Sequence, residues 1–283
     1  MAGCPPPEGL IGKNWACAQL ARQARGDLLL FTDADTEFQP QALREIVKAM
    51  IGEQADLLTG YPRQIMGSWG ERFLVPFFLW AVMCFIPLWL AYRLRIARMS
   101  AAVGQMMLFR REAYLKIGGH AALGTVIVED IALAKNIIKA GFRWRVVNIT
   151  ALISCRMYLG GREAFNGFAK NLFATFEFRL VEYLFVYLWL GALFLEPLFV
   201  LAANLLGFAP AASYIELAIC IALSALVWCI PYKELRLPFT LGLIYPVTMI
   251  ANEAAAFQSL LLSLSGQLSW KGRPLPRPKW KLF

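Results

Sequence analysis

Two carboxylates one residue apart close an apolar run near the start of this chain, where Leu28-Leu29-Leu30-Phe31-Thr32 leads into Asp33-Ala34-Asp35. In an extended strand residues i and i+2 share a face, so Asp33 and Asp35 can converge on one cation. Oxygen-only ligands favour Mg²⁺ or Mn²⁺, and such ions commonly bridge the phosphates of a bound nucleotide. A solvated strand-to-turn junction would use the same residues, and Asp-x-Asp alone does not separate the two. A second acidic pair, Glu129-Asp130, follows Val128 at the head of an expected helix. Carboxylates there are stabilised by the helix dipole, which makes capping a sufficient reason for them. The chemical reading is a general base, poised to take a proton from an acceptor hydroxyl.

The elements around these pairs are legible as periodicity. Lys13 to Arg25 reads as a short helix, followed by the strand ending at Asp33. Pro40 opens a helix from Gln41 to Ile51, with Leu43, Ile46, Val47 and Met50 at helical spacing. Leu57 to Gly60 and Met106 to Phe109 read as strands, and Arg111 to Ile117 as a short helix stopped by Gly118-Gly119. Glu129 to Lys139 is a helix closed by Gly141, and Trp144 to Ile149 a further strand. Strands alternating with helices indicate an α/β layer.

Composition places that layer in a membrane protein. The chain is 59% hydrophobic and 13% aromatic, and only 17% of its 283 residues are charged. That is too apolar for an ordinary soluble domain. The first seventy residues carry ordinary charge density, whereas 183 to 265 are nearly uncharged. The net charge of +9 comes largely from residues beside apolar segments: Arg93, Arg95, Arg98, Arg110 and Arg111, then Lys271, Arg273, Arg277, Lys279 and Lys281. This is the pattern of cytoplasmic flanks attracted to anionic lipid, and it argues against a nucleic-acid partner. Cys4, Cys17, Cys84, Cys155, Cys220 and Cys229 have no zinc-ligand spacing and read as reduced thiols, with no cleavable signal peptide ahead of them.

Segments 183 to 207 and 213 to 231 are each long enough to span a bilayer, with Glu196 in the first expected to face protein or water. Segment 237 to 265 is longer than one span needs and contains Pro246 and Asn252-Glu253, so it is expected to turn back near Pro246 or Asn252 and leave the basic tail cytoplasmic. Segment 73 to 92 lies between the two acidic motifs and contains Pro76 and Pro87. A single crossing there would put the motifs in opposite compartments, so it is expected to lie at the interface, with the following arginines at headgroup depth.

The ordered set Gly12-Lys13-Asn14-Trp15-Ala16, Asp33-Ala34-Asp35, Gly104-Gln105-Met106 through Arg110-Arg111-Glu112-Ala113-Tyr114, Gly118-Gly119-His120, Glu129-Asp130, Arg156-Met157-Tyr158, Lys170-Asn171 and Trp270-Lys271-Gly272-Arg273 resembles membrane-associated family 2 glycosyltransferases over nearly the whole chain. It looks most like the branch that glycosylates carotenoids (the diaponeurosporenoate type) or accompanies hopanoids. The resemblance implies a GT-A fold, a nucleotide-diphosphate sugar donor, a lipid-like acceptor, Mg²⁺ or Mn²⁺, and inversion at the anomeric carbon. It makes Asp33 and Asp35 the metal and donor-binding pair, Lys13 a donor-binding residue and Asp130 the catalytic base. It places Gln105 and Glu129 on the acceptor side. Arg156, Arg162 and Lys170 are candidate diphosphate contacts, although basic residues before a span also face lipid. His120, the sole histidine, is open between loop residue and ligand.

Two departures bear on function. The Gln-x-x-Arg-Trp motif of processive synthases is absent, its place taken by 161 to 171, which argues against a polysaccharide synthase. Family members also begin with a strand-helix-strand unit that holds the nucleotide base, whereas this sequence starts just before its Gly-Lys element. The Leu28 to Thr32 strand is therefore expected to present a free edge, and a separate chain could supply the remaining half. The organisation expected is a partial GT-A catalytic domain over 1 to 180, a transmembrane region over 181 to 265 and a basic tail over 266 to 283. The expected protein is an inner-membrane, multi-pass inverting glycosyltransferase with its catalytic part in the cytoplasm. The rival readings are a non-catalytic membrane subunit and, from Glu196 and Glu253 alone, a transporter.

Overall fold

A computed structural model describes residues 4–7, 9–208, 213–270, 273–275 and 277–283. Lys271 and Gly272, which belong both to the Trp-Lys-Gly-Arg element and to the basic tail, lie outside the described residues. The chain divides into two compact units, one of residues 1–65 and 85–157 and one of 66–84 and 158–283. The helical unit thus begins well ahead of residue 181 and takes part of segment 73 to 92 with it.

In chain order the elements are α1 (Gly12–Gln23), β1 (Leu28–Thr32), β2 (Thr36–Phe38), α2 (Ala42–Gly52), β3 (Leu57–Tyr61), β4 (Arg63–Gln64) and α3 (Trp69–Phe85). After these come α4 (Leu88–Leu94), β5 (Met106–Arg110), α5 (Arg111–Lys116), α6 (Glu129–Lys139), β6 (Trp144–Asn148) and β7 (Ile153–Cys155). The helical remainder is α7 (Gly161–Thr175), α8 (Leu180–Leu205), α9 (Tyr214–Glu234), α10 (Phe239–Leu243) and α11 (Tyr245–Ser265).

The first unit is an α/β layer around a mixed sheet in the order β1-β5-β3-β6. β5 runs antiparallel to both β1 and β3, and β3 runs parallel to β6. A smaller sheet, β2-β7-β4, carries the chain away from the end of β1. The core is apolar and continuous, with Ala42, Ile46 and Met50 of α2 packed on Leu58, Met106, Leu108, Ile149 and Ile153. Leu43, at helical spacing with these, instead points to solvent at 55% exposure. Ala42 takes the inward place because it precedes Ile46 by one turn. β1 is an end strand of this sheet among the described residues.

Arg110 and Arg111 are not lipid-facing flanks. Arg110 Nε lies 3.5 Å from an Asp56 oxygen and donates to the Ala55 carbonyl at 3.1 Å. Arg111 donates to the Ala24 carbonyl at the end of α1. Both guanidinium groups fasten the ends of elements within the α/β unit.

The second unit is a helical bundle in which α8, α9 and α11 are each long and apolar enough to cross a membrane. Their pairing is specific. Tyr183 Oη at the start of α8 donates to the Ala256 carbonyl at 2.8 Å, and further along α8 Phe194 packs on Tyr245 at 6.1 Å between ring centroids. α11 therefore runs antiparallel to the first half of α8 and begins partway along it. The chain reaches that depth through α10, which returns along the end of α9, where the Phe239 carbonyl accepts from Cys229 Sγ at 3.6 Å. The reversal expected near Pro246 falls at Ile244, immediately before it, and Asn252 lies inside an unbroken helix. Beyond α11 the chain comes back to the start of α8, where Leu180 N–H donates to the Lys281 carbonyl at 2.8 Å and Val181 N–H to the Leu282 carbonyl at 3.1 Å.

The first part of segment 73 to 92 packs within the helical unit as α3. Phe77 and Trp80 of α3 are buried, Trp80 stacks on Trp228 at 3.7 Å and its indole N–H donates to the Val227 carbonyl at 3.2 Å. The Asn252 amide donates to the Phe73 carbonyl at 2.9 Å. These rings gain aromatic partners and a satisfied N–H within the bundle. Trp80 also meets Phe194 at 5.4 Å, so α3 reaches about as far along α8 as the start of α11 does.

α3 and α7 touch backbone to backbone near their N-termini, where a Cβ on Gly70 would lie 2.5 Å from the Gly161 Cα. Gly70→Ala should therefore cost about 1–3 kcal/mol, as overpacking does. Thermal unfolding in micelles should show a lowered Tm, against an unchanged Tm for Gly52→Ala, whose position is open. The helix pairing also fixes relative topology. In a variant lacking the native cysteines, single cysteines at Glu177 and Leu275 should label from the same membrane face and one at Ser213 from the other. Labelling of positions 177 and 275 from opposite faces would rule out the reversal before Pro246.

Candidate active site

The site is assembled around a lysine in an unfavourable place. Lys13 lies in the first turn of α1, which has no acidic residue there and no side-chain cap, so its ammonium stands against the positive end of the helix dipole. Its partners come from elsewhere: Asp33 Oδ1 at 2.8 Å and Glu129 Oε1 at 2.6 Å. Burial draws the Lys13 pKa down, but Glu129 and Asp33 together outweigh it and hold the group above its ordinary value. The helix is docked by the third residue of that turn, since the buried Asn14 amide donates to the Gly124 and Val126 carbonyls at 3.4 and 3.2 Å.

Asp33 and Asp35 are not carried on the strand itself. β1 ends at Thr32, and Ala34 and Asp35 form a turn in which the Thr36 hydroxyl donates to the Asp33 carbonyl at 2.7 Å. Thr32 Oγ1 donates to the Gln105 carbonyl at 3.1 Å, tying the turn to β5. Asp33 is half-buried against Lys13, whereas Asp35 is exposed. The Asp35 carbonyl accepts the Arg156 N–H at 3.4 Å, which sets exposed Arg156 beside the turn.

At the head of α6, Glu129 takes the ion pair and Asp130 takes backbone donors. Asp130 Oδ2 accepts the Gly104 N–H at 3.0 Å, and Oδ1 accepts the Ile131 N–H at 2.8 Å. Burial and then Glu129 push the Asp130 carboxyl up to about 7, against the opposing pull of the two N–H donors and Lys13. A carboxyl titrating near neutrality is matched to general-base work.

Lys13, Asp33, Glu129, Gly104 and His120 line one cleft of about 310 Å³ whose other walls are apolar residues of α1 and β1. Cys17, one turn after Lys13, also faces it, its thiol pushed up to about 11 chiefly by burial and so unreactive. Gln105 turns away from the cleft. It is buried, its Nε2 donates to Cys155 Sγ at 3.1 Å and its Oε1 accepts from Gln64 Nε2 at 3.0 Å. Arg162 and Lys170 lie on α7, in the other unit.

Among the described residues no three His, Cys, Asp or Glu side chains are grouped to hold a metal ion. The carboxylates of Asp33, Asp35 and Glu129 nevertheless outnumber the one ammonium between them. Asp33 and Asp35 fit a Mg²⁺ or Mn²⁺ ion of the kind that takes its remaining ligands from phosphate oxygens and water. The sequence did not single out Gly104 as the donor to Asp130, or the Thr32 and Thr36 hydroxyls that shape the acidic turn. Hydroxyls flanking Asp33-Ala34-Asp35 on both sides were the available signal.

An α/β layer that gathers a Lys, an acidic turn and a Glu-Asp helix head, followed by long apolar helices, has the architecture of a partial GT-A-like glycosyltransferase of membranes. The chain belongs to the family described as Glycosyl transferase family 21, which matches residues 2–275. No curated protein matches it in sequence.

The raised Asp130 pKa has a definite sign in stability. The folded protein holds this proton up to about 7 while the unfolded chain releases it near 3.8, so between those values the unfolded state binds fewer protons. Stability should fall as pH rises through that window and level off above it. Unfolding temperatures measured from about pH 4 to 8 should show the descent in the wild type and a shallower one in Asp130→Asn; equal slopes would count against the enclosed carboxyl.

Proposed function

We propose that the protein is an inverting glycosyltransferase that moves a sugar from a nucleotide-diphosphate sugar to a lipid-like acceptor at the cytoplasmic membrane face. The observation that supports this reading is the single ammonium of Lys13, paired with Asp33 of the acidic turn and with Glu129, the neighbour of Asp130 at the head of α6. Transfer develops positive charge on the anomeric carbon and negative charge on the departing diphosphate. Asp130 takes the proton of the acceptor hydroxyl as its oxygen bonds to that carbon, and the bond to the donor phosphate breaks on the opposite face. Lys13 offsets charge on the leaving group, aided by Arg156 beside the acidic turn. Held by Asp33 and Asp35, Mg²⁺ or Mn²⁺ would supply further positive charge to the phosphates.

The apolar bundle suits an acceptor drawn from the bilayer, of the carotenoid, hopanoid or glycerolipid kind. Basic residues near the start of α8 and in the tail favour the cytoplasm for that side. Mass spectrometry of lipids from inner membranes with and without the gene tests the reading, with a glycosylated lipid expected only in the first. The same product from purified chain, donor and lipid extract would show that the chain acts alone. Product from cells but not from the purified chain would indicate a separate polypeptide completing the enzyme.

Two substitutions divide the roles. Asp130→Asn should lower the rate ~10²- to 10⁴-fold with donor binding little changed, and should remove the rise of rate with pH through neutrality. Asp35→Ala should abolish Mg²⁺- or Mn²⁺-dependent transfer while leaving membrane insertion intact. Collapse of donor affinity in Asp130→Asn would make that residue a structural cap, and normal metal dependence in Asp35→Ala would remove the metal assignment.

A further inference from the structure

The only histidine in the chain is placed with care that the proposed chemistry does not use. Gly118 and Gly119 both have left-handed backbone, at φ 75° and 51°, and a Cβ on Gly119 would lie 2.3 Å from the Tyr114 ring. This bend folds His120 back onto Tyr114 so that one phenol oxygen meets two of its groups. The His120 backbone N–H donates to Tyr114 Oη at 3.1 Å, and Nδ1 lies 2.8 Å from the same oxygen. A phenol has one proton to give, and its oxygen already accepts the backbone N–H, so that proton goes to Nδ1. Burial keeps the phenol protonated, its pKa pushed up to about 12, and burial followed by Lys13 holds the imidazolium down at about 4. A neutral ring with Nδ1 as acceptor carries its own hydrogen on Nε2.

The ring is 2% exposed, packed on Phe31 at 4.7 Å between centroids, and lines the cleft with Lys13, Asp33 and Glu129. With Nδ1 turned to Tyr114, the ring's remaining polar group is Nε2–H, at a cleft that also holds the Lys13 ammonium and the carboxylates of Asp33 and Glu129. A hydroxyl fits both, because it can donate to a carboxylate while accepting from Nε2–H. Resting on the glycosyl-transfer reading above, we propose that His120 Nε2–H is a specificity-determining contact that reads a hydroxyl of the transferred sugar. Tyr114 is its positioning residue, fixing the tautomer.

The sole imidazole makes the test direct. With ¹⁵N-histidine label and the full chain in lipid nanodiscs with Mg²⁺, the spectrum should show the Nε2–H tautomer, and Tyr114→Phe should convert it to a mixture. UDP-glucose, UDP-N-acetylglucosamine and GDP-mannose serve as probes, beside UDP and GDP without sugar. At least one sugar nucleotide should shift the Nε2 resonance where its sugar-free diphosphate does not. In transfer assays His120→Phe should raise the donor KM roughly 3- to 10-fold with kcat little changed, the loss expected for one hydrogen bond, and His120→Gln should recover part of it. An Nδ1–H tautomer in the wild type overturns the assignment. So does binding of sugar nucleotides, seen by saturation transfer to their sugar protons, in which none of them moves Nε2; glycosyl transfer itself would survive that result. Failure of every sugar nucleotide to bind would instead sink the transfer reading, and the His120 contact with it.

Discussion

One positive charge organises the α/β unit. The Lys13 ammonium is the shared counter-ion of Asp33, at the end of the first strand, and Glu129, at the head of a helix reached only after the chain has visited the other unit. Without it, carboxylates of one sign would face each other across the cleft in surroundings that screen poorly. The same charge would otherwise be misplaced in the first turn of α1. Two unfavourable arrangements thus become favourable only in each other's presence. Asn14, next in sequence, makes the arrangement directional by hanging α1 from carbonyls just ahead of α6.

The helical unit solves a different problem. α11 begins partway along α8, and the Ile244 break before it leaves backbone groups without helical partners at a depth where lipid could not satisfy them. Non-helical backbone at such depth is tolerated where protein encloses it. Here Leu241, Gly242 and Tyr245 around the break are all buried. The Asn252 amide closes two further carbonyls, those of Phe73 and Thr248. Trp80, Trp228 and Tyr245 form the aromatic floor on which α3 and α11 both come to rest.

The parts of this structure legible in the sequence are those with a period. α2, α6, β3, β5 and β6 fall within a residue or two of the positions their apolar spacing indicates, and Pro246 marks the reversal before α11. β2, β4 and β7 are two or three residues long and carry no period at all; they exist because the chain leaving β1 pairs with residues more than a hundred positions away. Arg110 and Arg111 read as membrane flanks because charge beside apolar sequence looks alike whether it meets lipid or a helix end. The convergence of Lys13, Asp33 and Glu129-Asp130 was legible only through the order of the motifs, since spacing cannot show that α1 hangs from the loop before α6. Gln105 could not have been placed from sequence, because its amide is committed to Gln64 and Cys155 by sheet pairing alone.

The entry to α8 has one further consequence. Arg179 at its N-cap makes no side-chain cap, and the N–H groups of Leu180 and Val181, which a helix ordinarily leaves to a capping side chain or water, are taken by the carbonyls of Lys281 and Leu282. The first membrane helix of the bundle to be translated is therefore finished by residues that leave the ribosome after every other helix. Insertion of α8 can proceed during synthesis, but its first turn closes only once Lys281 is free to fold back.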